Sequence, residues 1–374
     1  MKKINNLFLM TIANTSGSGI TAIFWFIIAA LLVPSEYGEI QYFISIAGLG
    51  YVISLIGTQT VITVYTAKKI QLQSTLILLS LVAGTVSGII ILFLFSKLDV
   101  SFLIIAFIIN DISLGYILGK RFFTKYSKYF ITQKSLTFGL GLSFYFIFGA
   151  EGIILGLVLS YIHFTIIIFN ILKSSKINFS VLKTRLGFIG NNYAINISSV
   201  AKNSLDKIIV LPIIGFEVLG NYALALQFYA VFMIFSMVVY QYTLPRDSVG
   251  QTTTKVKVIA LNSSVIITVL GVTITPFIMP IIFPEYNEAI IAIQIISLAV
   301  IPSTVALILS SKFLGNENSK IILSGRIMFV ITIIALIVIL TPIYGIVGVT
   351  SSFVIASIVQ TIILLVYYRL RNKI

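Results

Sequence analysis

Apolar runs of roughly 20 residues or more follow one another along this chain with little between them, each long enough to cross the ~30 Å hydrocarbon core of a bilayer as a helix. With 58% of residues hydrophobic, 10% charged and a mean hydropathy of +1.09, too little polar side chain remains to cover a water-facing surface. Turn and charge punctuation divides the sequence into twelve segments, at 7–33, 39–66, 75–96, 101–119, 129–149, 152–172, 188–214, 219–241, 258–283, 288–311, 321–341 and 344–368. The alternating strands of about ten residues that a membrane barrel needs are absent. The expected fold is therefore an all-α polytopic membrane protein of twelve transmembrane helices. Lys2 and Lys3 give the first segment the look of a secretory signal. Its apolar run is too long for one and lacks a small-residue cleavage pattern, so it is read as retained. There is no cysteine, which excludes disulfides and thiolate metal sites. No Walker sequence appears, which excludes direct ATP drive, and nothing calls for a cofactor.

The formal charge of +14 invites a nucleic-acid partner, but its placement argues otherwise. One set of loops and ends holds Lys2, Lys3, Lys68, Lys69, Lys120, Arg121, Lys173, Lys176, Arg185, Arg246, Lys257, Lys312 and Arg369. The opposite set holds Lys97 together with Glu36, Glu39, Asp99, Glu151, Glu217, Glu285 and Glu288. Such alternation is the positive-inside pattern. It expects both termini in the cytoplasm, a place in the cell (inner) membrane, and membrane lipids rather than nucleic acid as the partner of the basic charge.

The sequence also repeats itself. Sliding the chain so that Gly38 falls on Gly220 brings Asn14 onto Asn196 and Ser16 onto Ser198 without gaps. Near the end of each half "GAEGIILGLVLSYI" answers "PIYGIVGVTSSFVI", with Gly152 matching Gly345. Six helices per half is an even number, so the halves share one orientation, and transporters of that design place their site between the halves. The expected lobes are 1–172 and 188–374, joined by a cytoplasmic linker at 173–187.

The stretches "PSEYGEIQYF", "VLGNYALALQF" and "IIFPEYNEAI", with the Gly-rich starts of the sixth and twelfth segments, resemble the polysaccharide-exporter branch of the multidrug/oligosaccharidyl-lipid/polysaccharide (MOP) superfamily. The likeness is to O-antigen-type (Wzx-like) flippases, which serve surface polysaccharide and lipopolysaccharide synthesis, and it spans essentially the whole chain. It implies two six-helix lobes around a central cavity and movement of polyprenyl-diphosphate-linked oligosaccharide from the cytoplasmic to the outer leaflet.

Several ionisable groups fall inside the apolar segments. A charge at bilayer depth costs at least about 2.5 kcal/mol, so it normally faces a bundle interior or water. In "SSVAKNSLDKIIVLPIIG" Lys202 and Asp206 are four apart and pair on one helical face. That pair either locks the helix to a neighbour or belongs to a water-filled wall, which Asn203 and Lys207 would widen. Asn196 continues the polarity, and Asn14 supplies a counterpart on the first helix. Lys202 and Lys207 are expected to hold an anionic head group. Lys134 and Arg326 occupy near-equivalent places in the two halves and either snorkel to the interface or form a vestibule for the diphosphate. Asp111 is an ion-coupling candidate for a proton or sodium, or a partner of Lys134 or Lys202. His163 either titrates near neutrality or bridges helices as a neutral ring. Pro212, Pro276, Pro280, Pro302 and Pro342 are expected to kink or end their helices.

A cation-coupled antiporter of drugs or small molecules from the same superfamily is the alternative. Membrane-embedded enzymes fit less well, because the outer loops are short, no carboxylates pair as acid and base, and there is a single histidine. The topology is testable because the native chain offers no thiol. A cysteine at position 285 is expected to react with an impermeant maleimide on intact cells, and one at position 176 only after permeabilisation. The reverse order would overturn the orientation.

Overall fold

In lipid no water is at hand for stray peptide groups, so a spanning chain satisfies its backbone within helices. The computed structural model describes residues 2–371 apart from 252, 316 and 317, and the side chains of those residues apart from 2–8, 195, 198–203 and 371. Its helices in the first half are α1 (Lys2–Leu31), α2 (Pro34–Ser54), α3 (Gln59–Ala67), α4 (Gln73–Phe95), α5 (Leu98–Gly119), α6 (Phe123–Phe148), α7 (Gly152–Ser160) and α8 (Thr165–Ser174). A short α9 (Phe179–Lys183) lies in the linker, followed by α10 (Leu186–Phe232), α11 (Ile234–Asp247), α12 (Thr254–Ile282), α13 (Asn287–Ser297), α14 (Val300–Gly315) and α15 (Ser319–Arg371). No strand occurs among the described residues. Large apolar side chains stand outward, Phe93 at 85% exposure and Ile281 at 81%, as expected where the solvent is lipid. The chain is a multi-pass membrane protein.

Length and hydropathy alone mark 8 helices able to cross a membrane, or 9 if the bent pair α13 and α14 is one span. The twelve expected segments emerge only when the longest helical stretches are divided. Phe123–Ser174 and Ser319–Leu370 are each 52 residues, which as straight helices would run about 78 Å. Both fold back at a glycine with positive φ, Gly149 at 69° and Gly345 at 54°, a conformation that side chains with a Cβ rarely adopt. Gly215, with φ 78° and ψ 177°, similarly divides α10. The sequence comparison matched Gly345 to Gly152, whereas the backbone makes Gly149 its counterpart. Gly149 and Gly345 are separated by the same interval as Gly152 and Gly348, and a Cβ on Gly152 would strike the Phe144 carbonyl just as one on Gly348 would strike the Leu340 carbonyl. Helix α12 continues through Pro276 and Pro280, whereas Pro212 and Pro342 each stand three residues before a glycine break, at Gly215 and Gly345, and Pro302 lies in the first turn of α14, just after its bend from α13. Two further breaks fall at Leu55–Thr58, between α2 and α3, and at Tyr161–Phe164, where a 3₁₀ turn separates α7 from α8.

The chain forms two compact units. The first comprises Met1–Ile28 and Phe43–Ser204, the second Ala29–Tyr42 and Leu205–Ile374. The first packs through α5, which lies against α3, α4 and α7. Its hydroxyls bond mainly along the backbone, as Ser54 does to the Gly50 carbonyl at 2.7 Å and Ser101 to the Gly88 carbonyl at 2.8 Å. At its lysine- and arginine-rich end a neutral contact joins α3 to α4, from Gln73 Nε2 to Thr66 Oγ1 at 3.1 Å.

The second unit includes the tip between α1 and α2. There the two glycines matched by the repeat meet: a Cβ on Gly38 would strike the Phe216 carbonyl, and one on Gly220 the Pro34 carbonyl. The contact is reciprocal, because Pro34 and Phe216 are themselves equivalent under the same slide. The "PEYNE" turn closes over it. Tyr286 is 1% exposed and donates to the Leu32 carbonyl at 3.1 Å, while the Asn221 side chain accepts from the Ala289 N–H at 2.9 Å. The motif residues therefore serve as helix-end partners.

At the basic end of this unit Asp247 replaces the neutral contact of the first. Lys257 Nζ reaches both carboxylate oxygens, at 2.8 and 2.6 Å, Thr253 donates at 2.7 Å and Ser311 at 2.6 Å. Burial pushes this carboxyl up, but the bonds from Lys257, Ser311 and Thr253 outweigh it and hold Asp247 below the usual carboxylate range. A depressed folded-state value stabilises the protein above the ordinary carboxylate pKa of about 4, and that contribution is lost as pH falls through the depressed value. Asp247→Asn is expected to cost about 3 kcal/mol at neutral pH and to lose the wild-type acid dependence. Thermal unfolding of purified protein between neutral and acid pH checks both.

Candidate functional site

The helix break at Leu55–Thr58 frees backbone donors at bilayer depth, and α5 supplies the answer. Asp111 Oδ2 accepts from the Gln59 N–H, in the first turn of α3, at 3.0 Å, which sets a carboxylate against a helix N-terminus and its partial positive charge. Thr58 caps the same turn through Val61 N at 3.4 Å, and Ser80 Oγ accepts from Gly57 N at 3.2 Å. The Tyr51 hydroxyl also hydrogen-bonds to Asp111. The break was legible in "IGTQT", where glycine precedes an N-cap threonine, yet the hydropathy of the segment runs straight through it.

Around Asp111 the first unit gathers four of the expected site residues. The Asn196 amide lies beside the Tyr51 hydroxyl, its buried Nδ2 without a hydrogen bond of good geometry. Tyr126 is within electrostatic reach of Asp111 and donates to Asn14 Oδ1 at 3.3 Å. The Tyr126 ring stacks on Phe130 at 5.8 Å, and Lys134 Nζ sits over Phe130, 5.5 Å from its centroid. Lys134 thus joins the cluster through an aromatic relay, half-buried, rather than through an ion pair with Asp111. Tyr51, Phe107 and Tyr161 form an edge-to-face chain with centroids 5.7 Å apart at each step.

His163 belongs to the second break. Its Nδ1 lies 3.0 Å from the Ser160 carbonyl, and its Nε2 3.4 Å from the Tyr129 carbonyl. The ring thereby lies between the broken helix and α6, with a carbonyl oxygen opposite each nitrogen. On the opposite face of α5, Ser113 donates to the Phe164 carbonyl at 3.4 Å.

In the second unit Asp206 is 3% exposed and accepts at Oδ2 from the Tyr222 hydroxyl at 2.8 Å, while Oδ1 has no hydrogen-bond partner among the described residues. Lys207 is half-buried beside it. Arg326 lies within electrostatic reach of Tyr240. The side chains of Lys202 and Asn203 lie outside the described residues. Among the described residues no three His, Asp or Glu side chains come together as they would around a metal ion.

No protein-family profile matches the chain, and no curated protein does. Solved structures do. The lipid II flippase MurJ, in an inward closed conformation, superposes with a TM-score of 0.74 at 14% identity, over 97% of this chain and 87% of that one. An inward-facing multidrug resistance MATE family transporter of the MOP superfamily gives 0.69 at 14% identity, over 98% and 97%. A mutant form of the Vibrio cholerae MATE transporter VcmN gives 0.61 at 12% identity, over 99% and 97%.

The Asp111 geometry separates two roles by substitution. Asp111→Ala orphans the Gln59 N–H and is expected to lower stability by about 1–3 kcal/mol. Asp111→Asn keeps an oxygen for that N–H and is expected to retain most of the stability while removing the charge. Thermal unfolding of the two variants beside the parent checks this; equal losses would show that the charge, not the cap, is what the break needs. The chain therefore shares its fold with the solved MurJ and MATE structures.

Proposed function

We propose that this chain is a flippase, moving polyprenyl-diphosphate-linked oligosaccharide from the cytoplasmic to the outer leaflet by alternating access for surface polysaccharide synthesis. It resides in the inner membrane with both termini cytoplasmic and has no enzymatic step. The balance of charge within the spans carries this reading. Asp111 is engaged by Gln59 and Tyr51, and Asp206 by Tyr222, whereas Lys134 and Lys207 are half-buried in the same two units. With Lys202 and Arg326 the sequence sets four cations against these two carboxylates, and such an excess suits a diphosphate head group and repels a cationic drug. In this scheme Lys202, Lys207, Asn203, Asn196 and Asn14 contact the head group, Lys134 and Arg326 receive it, and Asp111 carries the coupling proton or sodium.

The likeness to a lipid II flippase supports the same reading. The antiporter alternative has its own support in the MATE likeness and in Asp206 Oδ1, which has no hydrogen-bond partner among the described residues and is suited to a proton or a cation.

Proteoliposomes carrying lipid-linked oligosaccharide, with lectin access as the readout, distinguish the two. The parent is expected to move the lipid, Lys207→Gln to slow it modestly, and Lys207→Glu to slow it by about tenfold or more, since reversal repels the diphosphate. Asp111→Asn is expected to bind substrate yet lose its response to pH and sodium gradients. Parental transport in Lys207→Glu removes the basic path. Gradient-driven ethidium export without lipid movement replaces the flippase with the antiporter.

A further inference from the structure

Two hollows open on the lipid-facing side of the first unit, about 150 Å³ and about 450 Å³ in volume. Both are lined by Ile109 and Thr165, so they form one groove between α5 and the broken helix α7–α8. Phe102, Ile105 and Ile109 make one wall, and Ile162, Ile166 and Phe169 the other. No charged side chain lines it. Thr165 turns its hydroxyl back onto the Ile162 carbonyl at 2.6 Å, which leaves the floor apolar.

The groove's dimensions and its ends say what fits. Along α7 and α8 it runs from Val158 to Leu172, about 20 Å at the helical rise. One leaflet is about 15 Å of hydrocarbon, so the groove outruns a straight acyl chain that stays in its own leaflet. Leu172 is followed by Lys173 and, three residues on, Lys176, both exposed. The α8 end that carries them is fixed to the start of α4, where Ser74 Oγ donates to the Ser175 carbonyl at 2.8 Å. An anionic head group at this end meets positive charge. Another lipid-facing hollow, about 240 Å³ between Phe228, Phe232, Ile274 and Met279, lies toward the end of α12 that leads into Glu285 and Glu288, the wrong sign for a phosphate.

We infer that this groove is the seat of the polyisoprenyl chain of the lipid as it docks from the cytoplasmic leaflet, with the diphosphate held at the Lys173 end before the head group passes to Lys134 and Lys207. The inference rests on the flippase reading and adds to it where the tail lies.

Native mass spectrometry of the full chain tests it with undecaprenyl diphosphate, farnesyl diphosphate, and phosphatidylglycerol as probes. Ile105→Trp and Leu159→Trp fill the half of the groove far from Lys173, which only the long chain reaches. They are expected to weaken undecaprenyl diphosphate binding about tenfold and to leave farnesyl diphosphate within about twofold. Ile166→Trp, near Lys173, is expected to weaken both. Phosphatidylglycerol is expected not to compete. Binding of both diphosphates unchanged in all three variants, or equal competition by phosphatidylglycerol, overturns the groove while leaving the flippase reading intact. A parent that binds neither diphosphate overturns the flippase reading itself. A photoreactive phenylalanine analogue at exposed Phe169 needs no groove-filling change. It is expected to cross-link undecaprenyl diphosphate more than the same probe at Phe277 does, and equal yields count against the groove.

Discussion

A peptide group left unpaired in hydrocarbon costs several kcal/mol, and the first unit is organised around two places where that cost arises. The breaks at Leu55–Thr58 and Tyr161–Phe164 each free backbone groups. Helix α5 answers both, with Asp111 on the Gln59 N–H and Ser113 on the Phe164 carbonyl. These side chains are two residues apart, so they project about 200° apart around the helix and serve neighbours on opposite sides. A donor is met by a carboxylate and an acceptor by a hydroxyl. The helix between them is itself continuous from Leu98 to Gly119.

This arrangement makes Asp111 both a cap and a charge. A carboxylate buried beside a half-helix N-terminus keeps its negative charge at lower cost than one facing bare lipid. Its surroundings are aromatic hydroxyls from Tyr51 and Tyr126 and the amides of Asn14 and Asn196, groups that both donate and accept. Such a shell tolerates a change of protonation without leaving a polar atom stranded. The second unit holds Asp206 more simply, by one tyrosine, with one oxygen unpaired among the described residues.

The class of fold was written in the hydropathy, and the repeat in the register of Gly38 with Gly220. Both follow from one-dimensional pattern: apolar length, and residue types that recur where the backbone approaches itself. Which residues gather at a site was less legible. Asn14 and Asn196 were singled out as equivalents in two halves, yet both fall in the first unit, beside tyrosines whose positions carry no period of their own. The prolines pointed to the neighbourhood of the breaks at Gly215 and Gly345 but not to those at "LIGT" and "YIHF", which carry no proline and break where α5 offers replacement partners. Asp247 was hidden among the basic residues of its loop. Its network with Lys257, Thr253 and Ser311 depends on bringing α11, α12 and α14 together, a contact that no local pattern encodes.

The reciprocal contact of Gly38 with Gly220, sealed by Tyr286 on the Leu32 carbonyl, also sets an order of events during synthesis. The tip at Ala29–Tyr42 belongs with residues from Leu205 onward, and Tyr286 stands 254 positions from Leu32. At about 5–20 residues per second, the tip leaves the ribosome some 10–40 s before the first of its partners exists. Completion of the second unit is therefore limited by chain length as much as by packing, and the protein's first hairpin is among the last of its parts to reach its final neighbours.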